Sequence, residues 1–272
     1  VRRQQVSPIV YFGLLLYTVL VISGCVQQNP GVHATKNMDG PLLRVGISTN
    51  APPLAYLEHS QITGLEADFA RGLAEYTKRK LKFVSLKWED QIPQLMDGKI
   101  DIIMSGMTAT PARQYQLSFC EPYLFTSQIF LVRSEEQNRF RQGFPALLNP
   151  EMRVGTVRGT TGDLFIASNK AKGKRTQFDV SLQGLEALLK KEIDAFVYDL
   201  PGALYYAARY RDQGVTPIIQ PLSREPVAWA VTPANDTLRT QANAYLASLK
   251  KSRKLQAMVQ RWIPFYKNLY NQ

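Results

Sequence analysis

"LMDGKIDIIMSG" at 95–106 and "LLKKEIDAFVYD" at 188–199 carry one pattern: an apolar helix end, a polar turn, Ile-Asp, then a short apolar run. The run in each reads as a buried strand, because it is short, apolar and bounded by turn residues. Upstream of each lies a second echo, "LRVGIS" (43–48) and "MRVGTV" (152–157). Between the echoes of the first copy, "TGLEADFARGLAEYTKRK" (63–80) is a predicted helix with Leu65, Phe69, Leu73 and Tyr76 on one face. "LKFVSL" (81–86) is a further strand and "EDQIPQLMDG" a short helix. Alternating strands and helices indicate α/β architecture. A unit used twice indicates two lobes. Ligands of open α/β sheets bind outside the carboxyl ends of the strands. Here those ends are Ser48, Ser105-Gly106, Val157-Arg158-Gly159 and Tyr198-Asp199, which converge on one cleft if the lobes face each other.

Beyond the first of these strand ends, "MSGMTATPAR" (104–113) opens a helix, with Thr110 as N-cap and Pro111 at the first helical position. Arg113 then sits in the first turn, where the helix end prefers an anion. A guanidinium matches a carboxylate bidentately, and Thr108 adds a hydroxyl donor. On the second lobe, "VRGTTGDLF" (157–165) reads as strand, Gly-rich turn and helix start, a form whose backbone N–H groups can receive an anion. No Gly-Lys-Ser/Thr follows, so it is not a phosphate-binding P-loop. Arg113, Thr108 and Thr161 could hold one carboxylate, and Asp199 an ammonium, which is what an α-amino acid requires. Other readings stand beside this one: Arg113 paired with Glu121, Asp199 capping "LPGALYYAARY", and Trp88 as lobe core.

The composition of the 272 residues, 45% hydrophobic and 20% charged, is that of a folded globular chain. The net charge of +11 is spread over scattered Lys/Arg pairs with no aromatic-interleaved basic stripe, which argues against nucleic acid. Two histidines and no HxxxH or CxxC argue against a metal site, and no cofactor is implied. Arg2 and Arg3 precede the apolar run "PIVYFGLLLYTVLVI" (8–22), which is shorter than the ~20 residues of a spanning helix. A signal peptide over 1–24 fits this pattern; an uncleaved anchor is the alternative. "Ile22-Ser23-Gly24-Cys25" resembles a bacterial lipobox, with Cys25 lipidated. Cys120 would then be the remaining thiol, a small buried residue. Residues 25–40, polar and turn-rich, suit a flexible tether.

From "LRVGISTNAPPLAY" through "SGMTATPARQYQLSFCEPY", "RVGTVRGTTGD", "EIDAFVYDLPGALYY" and "LRTQANAYLASLKKSRKLQAMVQRWIP", the chain over about 41–265 resembles family 3 extracellular solute-binding proteins, the amino-acid receptors of ABC importers. The resemblance implies a two-lobed, type II periplasmic-binding-protein fold with two hinge crossovers, near Phe125–Ser127 and Arg224–Pro226, and a ligand cleft between the lobes. Lobe one would be 41–125 plus 227–272, and lobe two 126–226. It implies that Arg113, helped by Thr108 and Thr161 with Thr160 beside it, grips the α-carboxylate. Asp199 would take the α-ammonium. Ser105 and Gly106 would line the amino-acid head, Trp88 would stack on the side chain, and Ser48 and Ala51 would complete the pocket.

Two departures bear on specificity. Ser48 stands where receptors for basic amino acids carry an acid, and Ala51 where an aromatic often follows. With Arg158 nearby, the expected ligand is a neutral polar or acidic amino acid. The family's G-F-D is Gly64-Leu65-Glu66 here. The implied partners are that small molecule, an inner-membrane ABC permease and the membrane through the lipid anchor, for a monomer in the periplasm or cell envelope. The competing functions are a prephenate- or cyclohexadienyl-dehydratase-like enzyme on the same fold, which would need a general acid in the cleft, and a ligand-sensing regulatory module.

Overall fold

The computed structural model describes residues 40–169, 171–264 and 266. The expected signal peptide, Cys25 and the tether as far as residue 39 lie outside the described residues. Two five-stranded sheets organise the rest, and they share one strand order. The first runs Lys80–Ser85, Leu42–Ile47, Ile102–Ile103, Ala230–Val231, Ser118–Phe119; the second runs Lys174–Phe178, Arg153–Val157, Ala195–Asp199, Gln128–Arg133, Val215–Ile218. In each sheet the first three strands are parallel and the fourth is antiparallel to the third.

The repeated sequence encodes this shared order. Val45-Gly46 pairs with Ile102-Ile103 as Val154-Gly155 pairs with Ala195-Phe196. Arg44 donates its backbone N–H to the Asp101 carboxylate at 2.7 Å and adds a two-pronged guanidinium contact. Arg153 repeats this on Asp194, with its backbone N–H at 2.9 Å. Such bidentate pairs fix geometry as well as adding energy, so each Ile-Asp sets the register between first and third strands. The preceding isoleucine needs the glycine. A Cβ on Gly46 would lie 2.3 Å from the Ile100 side chain, and one on Gly155 would lie 2.5 Å from Ile193.

The third strand of the first sheet is shorter than the run 99–106. At Ser105 the side-chain oxygen, not the backbone, accepts the Ser48 N–H at 2.6 Å, and Gly106 turns away with φ 70°. The helix predicted over 63–80 spans Leu65–Tyr76, ending where Lys78 takes a left-handed φ of 54°. Its Leu65, Phe69 and Leu73 are buried with Trp229 and with Leu238, Tyr245 and Val259 of the helices Asp236–Lys251 and Lys254–Trp262; Tyr76 stays exposed. Cys120 belongs to this core, its thiol pushed up to about 12 by burial. The second sheet is covered on both faces, so Gln128–Arg133 is buried at every position. Two antiparallel strands, Leu124–Thr126 and Glu225–Val227, carry the chain between the sheets, with Thr126 opposite Glu225.

Candidate functional site

Every residue named as ligand-lining from the sequence lines one cleft between the two sheets. Arg113 reaches it from a four-residue helix, Pro111–Gln114, whose N-cap is Thr110; the Thr110 hydroxyl accepts the Arg113 N–H at 3.3 Å. Arg113 is 9% exposed and its guanidinium has no carboxylate within 4.0 Å among the described ion pairs, so the Glu121 pairing is not formed. It donates instead to the carbonyls of Thr108 at 3.0 Å and Gly159 at 3.3 Å, and lies 5.2 Å from the centre of the Trp88 ring. Most of the fork's N–H groups remain for a ligand. Burial lowers the affinity of Arg113 for its proton, while the charges of Asp199 and Glu225 oppose that shift.

Among the described residues, hydrogen bonds at two points close the cleft. Arg113 and the Trp88 indole N–H (3.1 Å) both donate to Gly159 O, and the Ser181 hydroxyl donates to Asn50 O at 2.7 Å. The space left is about 50 Å³, a third of the ~150 Å³ that takes a benzene. An amino acid enters only when the lobes part, and Trp88, partly packed on the core of the first sheet, is a cross-cleft contact as well as a wall.

The threonines are committed elsewhere. The Thr108 hydroxyl donates to Glu225 Oε2 at 2.9 Å and the Thr161 hydroxyl to the same oxygen at 2.7 Å. Thr160 caps the helix Thr161–Ser168: it donates to Val157 O at 2.7 Å and accepts the Asp163 N–H. A hydroxyl has one proton, so in this closed form none of the three offers one to a ligand carboxylate. The Gly-rich turn is likewise partly spent, since Gly159 N–H goes to the Asp163 carboxylate and Thr160 N–H to Val157 O.

Asp199 stands at the N-cap position of the helix Leu200–Arg209 without making a side-chain cap bond. Its carboxylate accepts the Gln128 side-chain N–H at 2.8 Å. Burial first, and then the charge of Glu225, raise its pKa to about 7, against the pull of Gln128 and Arg113. Arg158, invoked for an acidic side chain, is half exposed, does not itself line the cleft, and faces Gln177 and the cleft-lining Asp179. The expectation of an acidic ligand loses the cation it rested on.

A two-sheet α/β frame with matched strand order, two crossovers and a cleft at the strand ends is the setting in which the comparisons fall. The model of bacterial extracellular solute-binding proteins, family 3, matches residues 43–265. The chain belongs to that family. Among relatives of this solute-binding protein is ABC transporter arginine-binding protein 1 of Escherichia coli K12, 25% identical over 82% of this chain and 90% of the relative. Two solved structures share the fold. An ancestral amino-acid-binding protein, described as a precursor of cyclohexadienyl dehydratase, superposes with TM-score 0.76 at 30% identity, covering 82% of this chain and 95% of the other. An ancestral arginine-binding protein bound to arginine gives 0.75 at 27%, covering 83% and 99%.

Two residues directly behind this solute-binding protein's cleft lining escaped the sequence reading. Glu225, 7% exposed, accepts from Thr108, Thr161 and Ser223 (2.6 Å), and Gln128 bridges Thr161 to Asp199. Gln128 comes this close because position 162 is glycine: a Cβ there would lie 2.5 Å from its side-chain oxygen. The available signal was polarity out of place. Gln128 heads a wholly buried strand, and both residues adjoin the crossovers placed near Phe125–Ser127 and Arg224–Pro226.

Proposed function

We propose that this solute-binding protein captures an α-amino acid outside the cytoplasm and delivers it to an ABC permease of the inner membrane. The observation that carries the reading is Arg113: a buried guanidinium at the floor of an interlobe cleft, satisfied only by carbonyl oxygens, with the Asp199 carboxylate across from it. Arg113 takes the α-carboxylate and Asp199 the α-ammonium. Ser105 and Gly106 line the head, Trp88, Ser48 and Ala51 the side chain, and lobe closure traps the ligand in a hinge-type population shift. The relative named for arginine and the arginine-bound neighbour support an amino acid as cargo. No turnover is proposed, because a dehydratase needs a general acid poised on the leaving group, and Asp199 serves the ammonium.

A thermal-shift screen of the full chain against the twenty L-amino acids tests this. A ligand at a hundred times its Kd adds about 2.7 kcal/mol, which raises the midpoint by roughly 5–10 °C for a protein of this size. The ammonium needs Asp199 ionised, so affinity should rise as pH goes from 6 to 8, through the value near 7. A well-folded chain that no amino acid stabilises at either pH would refute the proposal.

We further propose that lipidated Cys25 holds the protein at the membrane, through the tether ahead of residue 41. Cys25→Ser should move it from the membrane fraction to the soluble one; retention in membranes would favour an uncleaved anchor.

A further inference from the structure

The charges of the cleft do not balance. Arg113 is the one cation among its described lining residues, against the lining carboxylates of Asp199 and Asp179. Glu225 stands directly behind Thr108 and Thr161. Both oxygens of Glu225 receive donors: Ser223 on Oε1 at 2.6 Å, and Thr108, Thr161 and, at 3.5 Å, Gln128 on Oε2. Asp179 is 72% exposed on its side chain and its Arg158 contact is 3.4 Å, so the two screen each other weakly.

A zwitterionic head leaves this account unchanged. Its carboxylate and ammonium cancel, and with Asp199 ionised to receive the ammonium, Arg113, Asp199 and Glu225 together still hold one negative charge in excess. Buried charge without a counter-charge is costly, so a ligand that brings an additional positive charge is favoured over its neutral isostere. The hydroxyls act in the same sense. With their protons turned to Glu225, the Thr108 and Thr161 hydroxyls have none left for a ligand carboxylate.

We infer that the cleft selects an amino acid with a cationic side chain, and that Asp179, aided by the uncompensated charge of Glu225, supplies the negative wall that takes the place of an acid at position 48. This rests on the amino-acid receptor reading above and narrows its ligand class. It also replaces the neutral-or-acidic expectation, whose basis was Ser48 and Arg158 rather than the charges the fold brings together.

L-Arginine and L-citrulline differ in side-chain charge at nearly equal size, so the pair isolates the effect. Titration calorimetry on the full chain should give arginine at least ~10-fold the affinity of citrulline, as one additional partly screened charge pair allows. Among the described residues the Asp179 side chain is hydrogen-bonded or ion-paired to Arg158 alone, so Asp179→Asn should leave the fold intact. In that variant the ratio should fall by ~3- to 10-fold, with citrulline or glutamine affinity little changed. Citrulline or glutamine binding as tightly as arginine would overturn the inference while leaving the receptor reading standing. An arginine preference that survives Asp179→Asn unaltered would overturn the role of Asp179. Binding of no amino acid, charged or neutral, would overturn the receptor reading and this inference with it.

Discussion

Arg113→Ala should lower the affinity for the bound amino acid by at least ~100-fold, with the unfolding midpoint of the ligand-free protein shifted by no more than a few degrees. A charge-assisted hydrogen bond contributes about 1.5–3 kcal/mol; two of them to one carboxylate come to roughly 3–6 kcal/mol, or 100-fold and beyond. The two carbonyl contacts that Arg113 makes in the closed form, to Thr108 and Gly159, do not compete strongly, because the remaining N–H groups of the fork are still available. Lysine should not rescue the loss, since an ammonium cannot reproduce a planar two-point contact. The alanine variant also removes the nearby positive charge that holds Asp199 down, so residual binding should move to higher pH. Calorimetry of the wild type and both variants at pH 7 and 8 is decisive: Arg113→Ala within threefold of the wild type would end the carboxylate-clamp assignment.

How far this site could be read from the sequence depended on where each group finds its partner. The two-lobe frame was legible because the symmetry is written in local contacts. Arg44–Asp101 and Arg153–Asp194 repeat as residues, and Gly46–Ile100 repeats as Gly155–Ile193. Arg113 was legible because a cation in a first helical turn contradicts the local field and calls for an outside explanation. Thr108, Thr160 and Thr161 line the cleft, yet the direction of their protons was not readable. That direction is set by Glu225, 117 residues beyond Thr108 in sequence, and by the helix cap at Thr160. Glu225 itself lies on a crossing strand, where a lone acid looks like solvated linker until its pairing with Thr126 buries it. Arg158 differs for the opposite reason: it sits at a strand end, but its half-exposed side chain lies beside Asp179 at the cleft's edge rather than lining the cleft itself.

Glu66→Ala should be the most destabilising single change in the first sheet's core. Glu66 is fully buried and accepts three hydrogen bonds, from Gly106 N–H at 2.5 Å, the Tyr123 hydroxyl at 2.6 Å and the Trp229 indole N–H at 3.0 Å. Alanine leaves all three donors unpaired, and at ~1–3 kcal/mol for each orphaned group the loss is about 3–5 kcal/mol once partial relaxation is allowed. A protein of this size should then melt roughly 8–15 °C lower. Glu66→Gln keeps an acceptor for Gly106 and Tyr123 but turns its amide N–H groups toward Trp229, so it should lose only part of this. The pH dependence separates the charge from the packing. Burial raises Glu66 from 4.5 to about 7 in the folded chain, so between these values the native state binds a proton that the unfolded chain has released. Stability from this group is therefore full below about 4.5 and declines as pH rises toward 7, by at most ~3 kcal/mol. Glu66→Gln should flatten that decline, and a variant with the wild-type slope would show that Glu66 is ionised throughout. The same carboxylate holds the backbone of Gly106, where a Cβ would lie 2.7 Å from Leu54. A loosened Glu66 thus moves the cleft lining, and Glu66→Ala should weaken amino-acid binding even at temperatures where the variant remains folded.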